Sequence, residues 1–174
     1  MMTNLVLIGM PGCGKSTVGV LLAKAMGKAF IDTDVVLQAT EGQKLQDMID
    51  VIGVDAFLKK EEDAVCGLDC SNTVIATGGS VVYGQRAMKH LHEHGVVVYI
   101  ELPYETIEKR LSNLATRGVT LREGQSLRDL YEERVPLYEQ TADVICFAEG
   151  NEIEQTVAAI QRLVADFCEA SHGR

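Results

Sequence analysis

The chain has 174 residues, of which 47% are apolar and 24% charged, and carries a net charge of −9. That length suits one domain with a good core and not two ordinary ones, and no stretch approaches the ~20 apolar residues that a membrane span needs. The excess of acids repels nucleic acid and anionic lipid at long range, so a phosphate-bearing ligand has to be captured locally.

In chain order, the first signal is the apolar run Leu5-Val6-Leu7-Ile8, which reads as a buried strand. It leads directly into Gly9-Met10-Pro11-Gly12-Cys13-Gly14-Lys15-Ser16, a full match to the phosphate-loop pattern G-x-x-x-x-G-K-[ST]. Residues 16–26 then read as a helix closed by Gly27. In this strand–loop–helix context the glycines let backbone N–H groups turn toward one point, and the positive helix end adds to their pull on a phosphate. Lys15 is expected to reach the outer phosphates and the Ser16 hydroxyl to sit on a magnesium ion. Cys13 is read as a space-filling loop residue in preference to a reactive thiol. The five cysteines are odd in number and lack zinc spacing, so they read as small apolar core residues of a reducing compartment. The N-terminal residues run straight into a strand without a secretory pattern, and the expected location is the cytoplasm.

A second strand at 29–31 runs into Asp32-Thr33-Asp34, two carboxylates one residue apart at the strand's carboxyl end, the edge where open parallel sheets bind ligands. If extended geometry persists, alternation points both the same way, one to hold magnesium through water and the other to accept a proton from a substrate hydroxyl. Helical patterns follow at 35–40, 45–52 and 55–65, and a third strand at 73–76 ends in Thr77-Gly78-Gly79-Ser80. Residues without side chains at that edge permit close approach of backbone to ligand. A helix at 85–94 carries His90, His92 and His94. They read as cations closing a helix before Gly95 in preference to a metal site, since no third ligand is evident.

The fourth strand, 96–100, precedes a helix at 104–114 bearing Arg110, and a stretch at 115–126 with Arg117 and Arg122 reads as a flap over a site. Arg128 and Arg134 lie on the next helix, 127–139, and a strand at 144–147 and a helix at 153–167 complete the chain. In so acidic a chain these arginines are candidates for clamping phosphate or carboxylate. The alternation predicts one α/β domain with three layers, a five-stranded parallel sheet covered by helices on both faces. No N-K-x-D guanine motif occurs, and Asp50-Val-Ile-Gly53 lies in a helical stretch, which argues against a GTPase.

Taken together, these motifs resemble the shikimate kinase family over nearly the whole chain. The 9–17 segment matches its nucleotide loop, Asp32-Thr33-Asp34 its D-[ST]-D motif and Ala76-Thr77-Gly78-Gly79 its glycine motif. Arg134-Val-Pro-Leu-Tyr138 resembles its R-x-P-L-Y signature. The resemblance implies a P-loop, nucleoside monophosphate kinase-like fold and ATP-dependent phosphorylation of a hydroxyl on a small cyclic hydroxy acid, a step of amino-acid biosynthesis, by a monomer. It implies that Gly12, Cys13, Gly14, Lys15, Ser16, Thr17, Arg110 and Arg117 bind nucleotide. Lys15, Asp34 and Arg117 would be catalytic, and Ser16 and Asp32 would serve Mg2+. Asp34, Gly78, Gly79, Arg134 and position 58 would bind the acceptor, with Arg134 on its carboxylate.

Three departures stand out. The family's F-R-x-x-E pattern reads Phe57-Leu58-Lys59-Lys60-Glu61 here, so a carboxylate-binding arginine is replaced by Leu58. Lys59 is displaced by roughly 100° around a helix and does not take its place. Ser80 stands where a third glycine is common, adding a hydroxyl beside the ligand, and Arg117-Gly118 replaces an arginine–proline pair, loosening the flap's hinge. The expectation is a small-molecule kinase with an altered acceptor site, for a smaller or less acidic hydroxy compound or for shikimate at altered affinity. The reading of another class is a nucleotide-binding regulator that has lost turnover.

Overall fold

A computed structural model of the chain describes residues 4–112 and 119–172. Among them run β1 (Asn4–Ile8), α1 (Lys15–Met26), β2 (Ala29–Asp32), α2 (Thr33–Glu41), α3 (Leu45–Ile52), α4 (Val54–Cys66) and β3 (Thr73–Ala76). A short 3-10 turn (Val81–Tyr83) follows, then α5 (Gln85–His94), β4 (Gly95–Glu101), α6 (Tyr104–Ser112), α7 (Leu127–Thr141), β5 (Val144–Phe147) and α8 (Ile153–His172). The strands form one sheet in the order β2-β3-β1-β4-β5, and every pair is parallel.

Parallel strands covered on both faces read as unbroken apolar runs, because neither side of the pleat meets water. β1 and the middle of β4 follow this rule, with every residue from Leu5 to Ile8 and from Val96 to Ile100 buried. The main core forms around them and takes in Leu22 of α1, Leu91 of α5, Ile107 of α6, Tyr138 of α7 and Ile160 of α8. A second, smaller cluster of Leu37, Met48, Ile49 and Phe57 lies under α2, α3 and α4. The sheet's flank at β5 alternates buried and exposed residues, as an edge strand does, which leaves Phe147 outside.

All five expected strands and all eight expected helices are found, and the three-layer α/β/α reading holds. Only the 3-10 turn after the glycine motif was not anticipated. One local expectation is corrected. Extended geometry does not persist through Asp34: Asp32 is the last residue of β2 and the N-cap of α2, and its Oδ1 accepts from the Asp34 and Val35 N–H groups. A side-chain oxygen at an N-cap satisfies donors that the helix leaves unpaired, so the aspartate that ends the strand also starts the helix. Asp34 therefore sits in the first turn of a helix, and strand alternation does not set its direction.

The register places the carboxyl end of β1, with its phosphate loop, at the centre of the sheet between the ends of β3 and β4. Tyr138 of α7 reaches across to this edge. It is fully buried, stacks on Tyr99 with ring centres 5.1 Å apart, and donates its hydroxyl to the Gly79 carbonyl at 2.5 Å. Tyr138→Phe keeps the ring and leaves that carbonyl without its donor. It is expected to lower unfolding stability by about 1–2 kcal/mol in urea titrations, with the transition remaining cooperative.

Candidate active site

The 9–16 loop crosses from β1 to α1 with Gly12 at φ 79° and Gly14 at φ 100°, left-handed conformations that residues with a Cβ rarely adopt. Cys13 is buried within it, as a space-filling residue would be, with its sulfur 3.7 Å from Lys15 Nζ. Lys15 is also buried and donates to the carbonyls of Gly9 (2.8 Å) and Met10 (2.9 Å), so its ammonium is held across the loop by the loop's own backbone. Arg110 reaches in from α6 and donates to the Gly12 carbonyl at 3.1 Å. Ser16 donates to Asp32 Oδ2 at 2.5 Å.

Around these groups runs a cavity of about 850 Å³. Its lining takes in Gly12, Cys13, Gly14, Lys15, Ser16 and Thr17 with Asp32, Asp34, Gln38, Lys44 and Gly79, and Arg110, Leu111, Asn151 and Ile153. Gly78 and Arg134, expected to bind the acceptor, are not part of that lining. The structure thus brings together on one cavity every residue expected at the phosphates that it describes, together with both aspartates. Arg117 lies outside the described residues, as do the other positions from 113 to 118. Of the presumed flap, the described part holds Thr120 buried against α7 and ties Arg122 Nη2 to Asp55 at 3.8 Å.

A hydroxyl and a carboxylate converging at a phosphate loop are hard oxygen donors of the kind magnesium takes, the remaining ligands coming from phosphate and water. Ser16 and Asp32 fit that requirement. Among the described residues no group of three or more His, Cys, Asp or Glu could hold a metal by itself, so the alternating histidines of α5 do not form a centre.

The acceptor end is more charged than the sequence suggests. Thr33 Oγ1 accepts from the Gly78 N–H at 3.2 Å and so locks the start of α2 to the end of β3. Behind Gly78 lies Glu61 of α4, 4% exposed, with Oε2 accepting from Ser80 Oγ at 2.7 Å. A Cβ on Gly78 would lie 2.0 Å from Glu61 Oε1 and 2.8 Å from Asp34 Oδ1, so this glycine is required because two carboxyls occupy its side-chain space. Gly79 is equally confined, by Pro11 at 2.8 Å and Arg134 Nη1 at 3.1 Å. Burial, reinforced by the Asp32 carboxylate and opposed by Lys15, pushes the Asp34 carboxyl up to about 6. Burial also pushes Glu61 up to about 7, against the pull of the Ser80 hydroxyl.

Arg134 is almost fully enclosed at 1% exposure. Its guanidinium donates to Tyr83 Oη at 3.3 Å and to Thr120 Oγ1, and lies 5.1 Å above the Tyr83 ring. Among the described residues no carboxylate lies within 4.0 Å of it, although its charge is felt at Glu61, and a buried cation whose hydrogen-bond partners are all neutral is suited to a ligand's anion. Leu58 does not line the cavity; it packs against the cluster of Leu37, Met48, Ile49 and Phe57. Ser80 turns its hydroxyl to Glu61. Glu61 was not singled out from the sequence: in Leu58-Lys59-Lys60-Glu61-Glu62-Asp63 nothing marks one acid of several as the buried one.

The family model described as shikimate kinase matches residues 11–165 of this chain. The chain is 35% identical over 165 residues to the shikimate kinase of Thiobacillus denitrificans, covering 92% of this chain and 87% of that protein. It is 33% identical over 180 residues to shikimate kinase 2 of Salmonella paratyphi B, covering 95% and 98%. Among solved structures, the shikimate kinase of Acinetobacter baumannii in complex with shikimate superimposes with a TM-score of 0.88 at 28% identity, covering 95% of this chain and 94% of that one. A gluconokinase from Sinorhizobium meliloti, at TM-score 0.52 and 17% identity, shares the fold.

The burial of Glu61 has a consequence for stability. Its folded form holds a proton up to about pH 7, whereas an ordinary glutamate loses it near 4.5. The stability this gives is complete below pH 4.5 and is lost as pH rises through 7. Urea unfolding between pH 5 and 8 is expected to show Glu61→Gln gaining on the wild type by on the order of 2–3 kcal/mol toward the alkaline end. A stability difference independent of pH contradicts the assignment.

Proposed function

The chain belongs to the shikimate kinase family, and from that premise we propose that it transfers the terminal phosphoryl group of ATP to a ring hydroxyl of shikimate, gripping the acceptor's carboxylate with one arginine where two would be usual. That it is an ATP-dependent small-molecule kinase follows from the family. The acceptor and the division of labour among residues rest on the site. The single observation that carries the reading is the enclosed Arg134 guanidinium, beside the Gly79 that lines the cavity together with Asp34 and with no carboxylate within 4.0 Å among the described residues.

ATP lies along the 9–16 loop, whose backbone N–H groups and helix end hold its phosphates. Arg110 stands at the base end, where its planar guanidinium suits stacking. Lys15 leaves the loop carbonyls for the transferring phosphate and neutralises charge that builds on its oxygens. Ser16 and Asp32 would hold magnesium, which when bound adds further neutralisation at the phosphate oxygens. Asp34 orients the accepting hydroxyl and receives its proton, and its raised pKa, still below neutrality, suits a base working near pH 7. Arg134 binds the acceptor's carboxylate, replacing its neutral contact with Thr120 by a charge-assisted one. Arg117, by its place in the family pattern, would serve the phosphates of the nucleotide. Flux through this step belongs to amino-acid biosynthesis in the cytoplasm.

With Leu58 facing a hydrophobic cluster, α4 supplies no second cation. A charge-assisted hydrogen bond to a carboxylate contributes about 1.5–3 kcal/mol, on the order of ten- to a hundredfold in affinity. In an ADP-release assay, shikimate is expected to be turned over with a raised KM, and Leu58→Arg to lower that KM by about tenfold or more. Turnover of another hydroxy acid in preference to shikimate overturns the acceptor assignment, and a micromolar KM insensitive to Leu58→Arg overturns the one-arginine grip. Lys15→Ala and Asp34→Asn are each expected to cut kcat by at least about a hundredfold. Retained function in both points to a nucleotide-binding regulator.

A further inference from the structure

Ser80 is the residue of the acceptor end whose contacts differ most from what its sequence context suggests. It follows two glycines, and its hydroxyl, instead of facing the cavity, donates to Glu61 Oε2 at 2.7 Å. Among the described residues this is the only hydrogen bond Glu61 makes, and no lysine or arginine lies within 4.0 Å of its carboxylate. A carboxyl buried to 4% exposure needs a donor to hold its position. The side chain one turn earlier on the same face of α4 is Leu58, which packs into the small apolar cluster and offers none. The donor therefore comes from the far side, from the loop after β3.

This arrangement fixes where the other oxygen points. Glu61 Oε1 fills the side-chain space of Gly78, and Asp34 Oδ1 flanks the same space, so α2 and α4 present two carboxyl oxygens side by side. Such a pair repels an acceptor's carboxylate, and its member on the cavity, Asp34, suits a donating hydroxyl, with Glu61 backing it from behind Gly78. The carboxylate is left to Arg134 on α7, and the acceptor's orientation follows from keeping its anionic and hydroxylated ends apart.

We propose that Ser80 is a positioning residue: its hydroxyl holds the Glu61 carboxyl beside Asp34, taking over the part that a cation on α4 would play, so that Asp34, the acid of the pair that lines the cavity, is kept in place for the acceptor's hydroxyl. The inference rests on the assignment of shikimate as acceptor and deepens it.

The test is a double-mutant cycle between Ser80 and Leu58, read by calorimetric binding of shikimate and by acceptor KM, with folding of each variant checked by circular dichroism. Ser80→Ala and Ser80→Gly are each expected to weaken shikimate binding by about tenfold with the KM for ATP unchanged. In the Leu58→Arg background, where a guanidinium can hold Glu61, the same substitutions are expected to change binding by less than about twofold. Equal losses in both backgrounds, no loss in either, or a loss with Gly but not Ala overturns the proposal. Wild-type protein that fails to bind shikimate at all overturns the acceptor assignment instead, so the two failures are distinct.

Discussion

The hydrogen bond from Ser16 Oγ to Asp32 Oδ2, 2.5 Å long, joins the two halves of the site. Ser16 belongs to the helix that follows the phosphate loop, and Asp32 ends a strand two places away in the sheet, with β3 between it and β1. The same carboxylate caps α2 through its other oxygen. Capping makes the chain leave the strand abruptly and enter a helix, and that turn puts Asp34 in the first helical turn, facing the cavity. Thr33, between the two acids, receives the Gly78 N–H and fastens the helix start to the end of β3. A continuous run of hydrogen bonds therefore connects the helix after the phosphate loop, Asp32, the start of α2 and the glycines at the end of β3. Rigid placement of this kind is what phosphoryl transfer asks of a protein, since positioning and charge stabilisation supply most of its rate.

The second theme is buried charge balanced at a distance. Lys15, Glu61 and Arg134 are buried and Asp34 is half-buried, yet among the described residues none is paired directly with an opposite charge: the lysine is held by carbonyls, the arginine by hydroxyls and the glutamate by a serine. Direct pairing would satisfy each group and leave little for a ligand. Keeping them apart leaves electrostatic capacity unused on and beside one cavity. On the proposed reading, the cations serve a phosphate at one place and a carboxylate at another, and Asp34 serves a hydroxyl between. The cost appears as raised carboxyl pKa values, which follow chiefly from desolvation.

The parts legible in the sequence are those that depend on local pattern. The phosphate loop, the apolar runs of β1 and β4, the Gly27 cap of α1 and the Asp32/Asp34 pair are each defined by residues within a few positions of one another. They were placed within a residue or two. What escaped depends on contacts between distant segments. Glu61 sits amid exposed charges and differs from its neighbours only in the direction its helix turns it, toward a serine 19 positions away. Thr120 is an ordinary loop residue until α7 brings Arg134 beneath it. The direction of Asp34 was misjudged for a related reason: alternation assumes a strand continues, and a side chain that caps a helix ends it. The resemblance supplied roles that local pattern could not, and it also made the substitution at position 58 visible as a departure.

That departure changes the local chemistry in a way the cavity's other residues accommodate. Removing a guanidinium from α4 without further change would leave Glu61 as a buried acid with no donor, an arrangement that costs several kcal/mol when ionised. Leu58 avoids a polar void by joining the apolar cluster beneath α2 and α3. Ser80 then supplies the missing donor from a position where a glycine would supply none. The two residues are far apart in sequence and touch different sides of the same glutamate's environment, so their identities are linked through Glu61 and not through each other. On the proposed reading, an acceptor meets one strong cation and the Asp34 carboxyl backed by Glu61, so that its hydroxyls carry a larger share of the recognition and its carboxylate a smaller one.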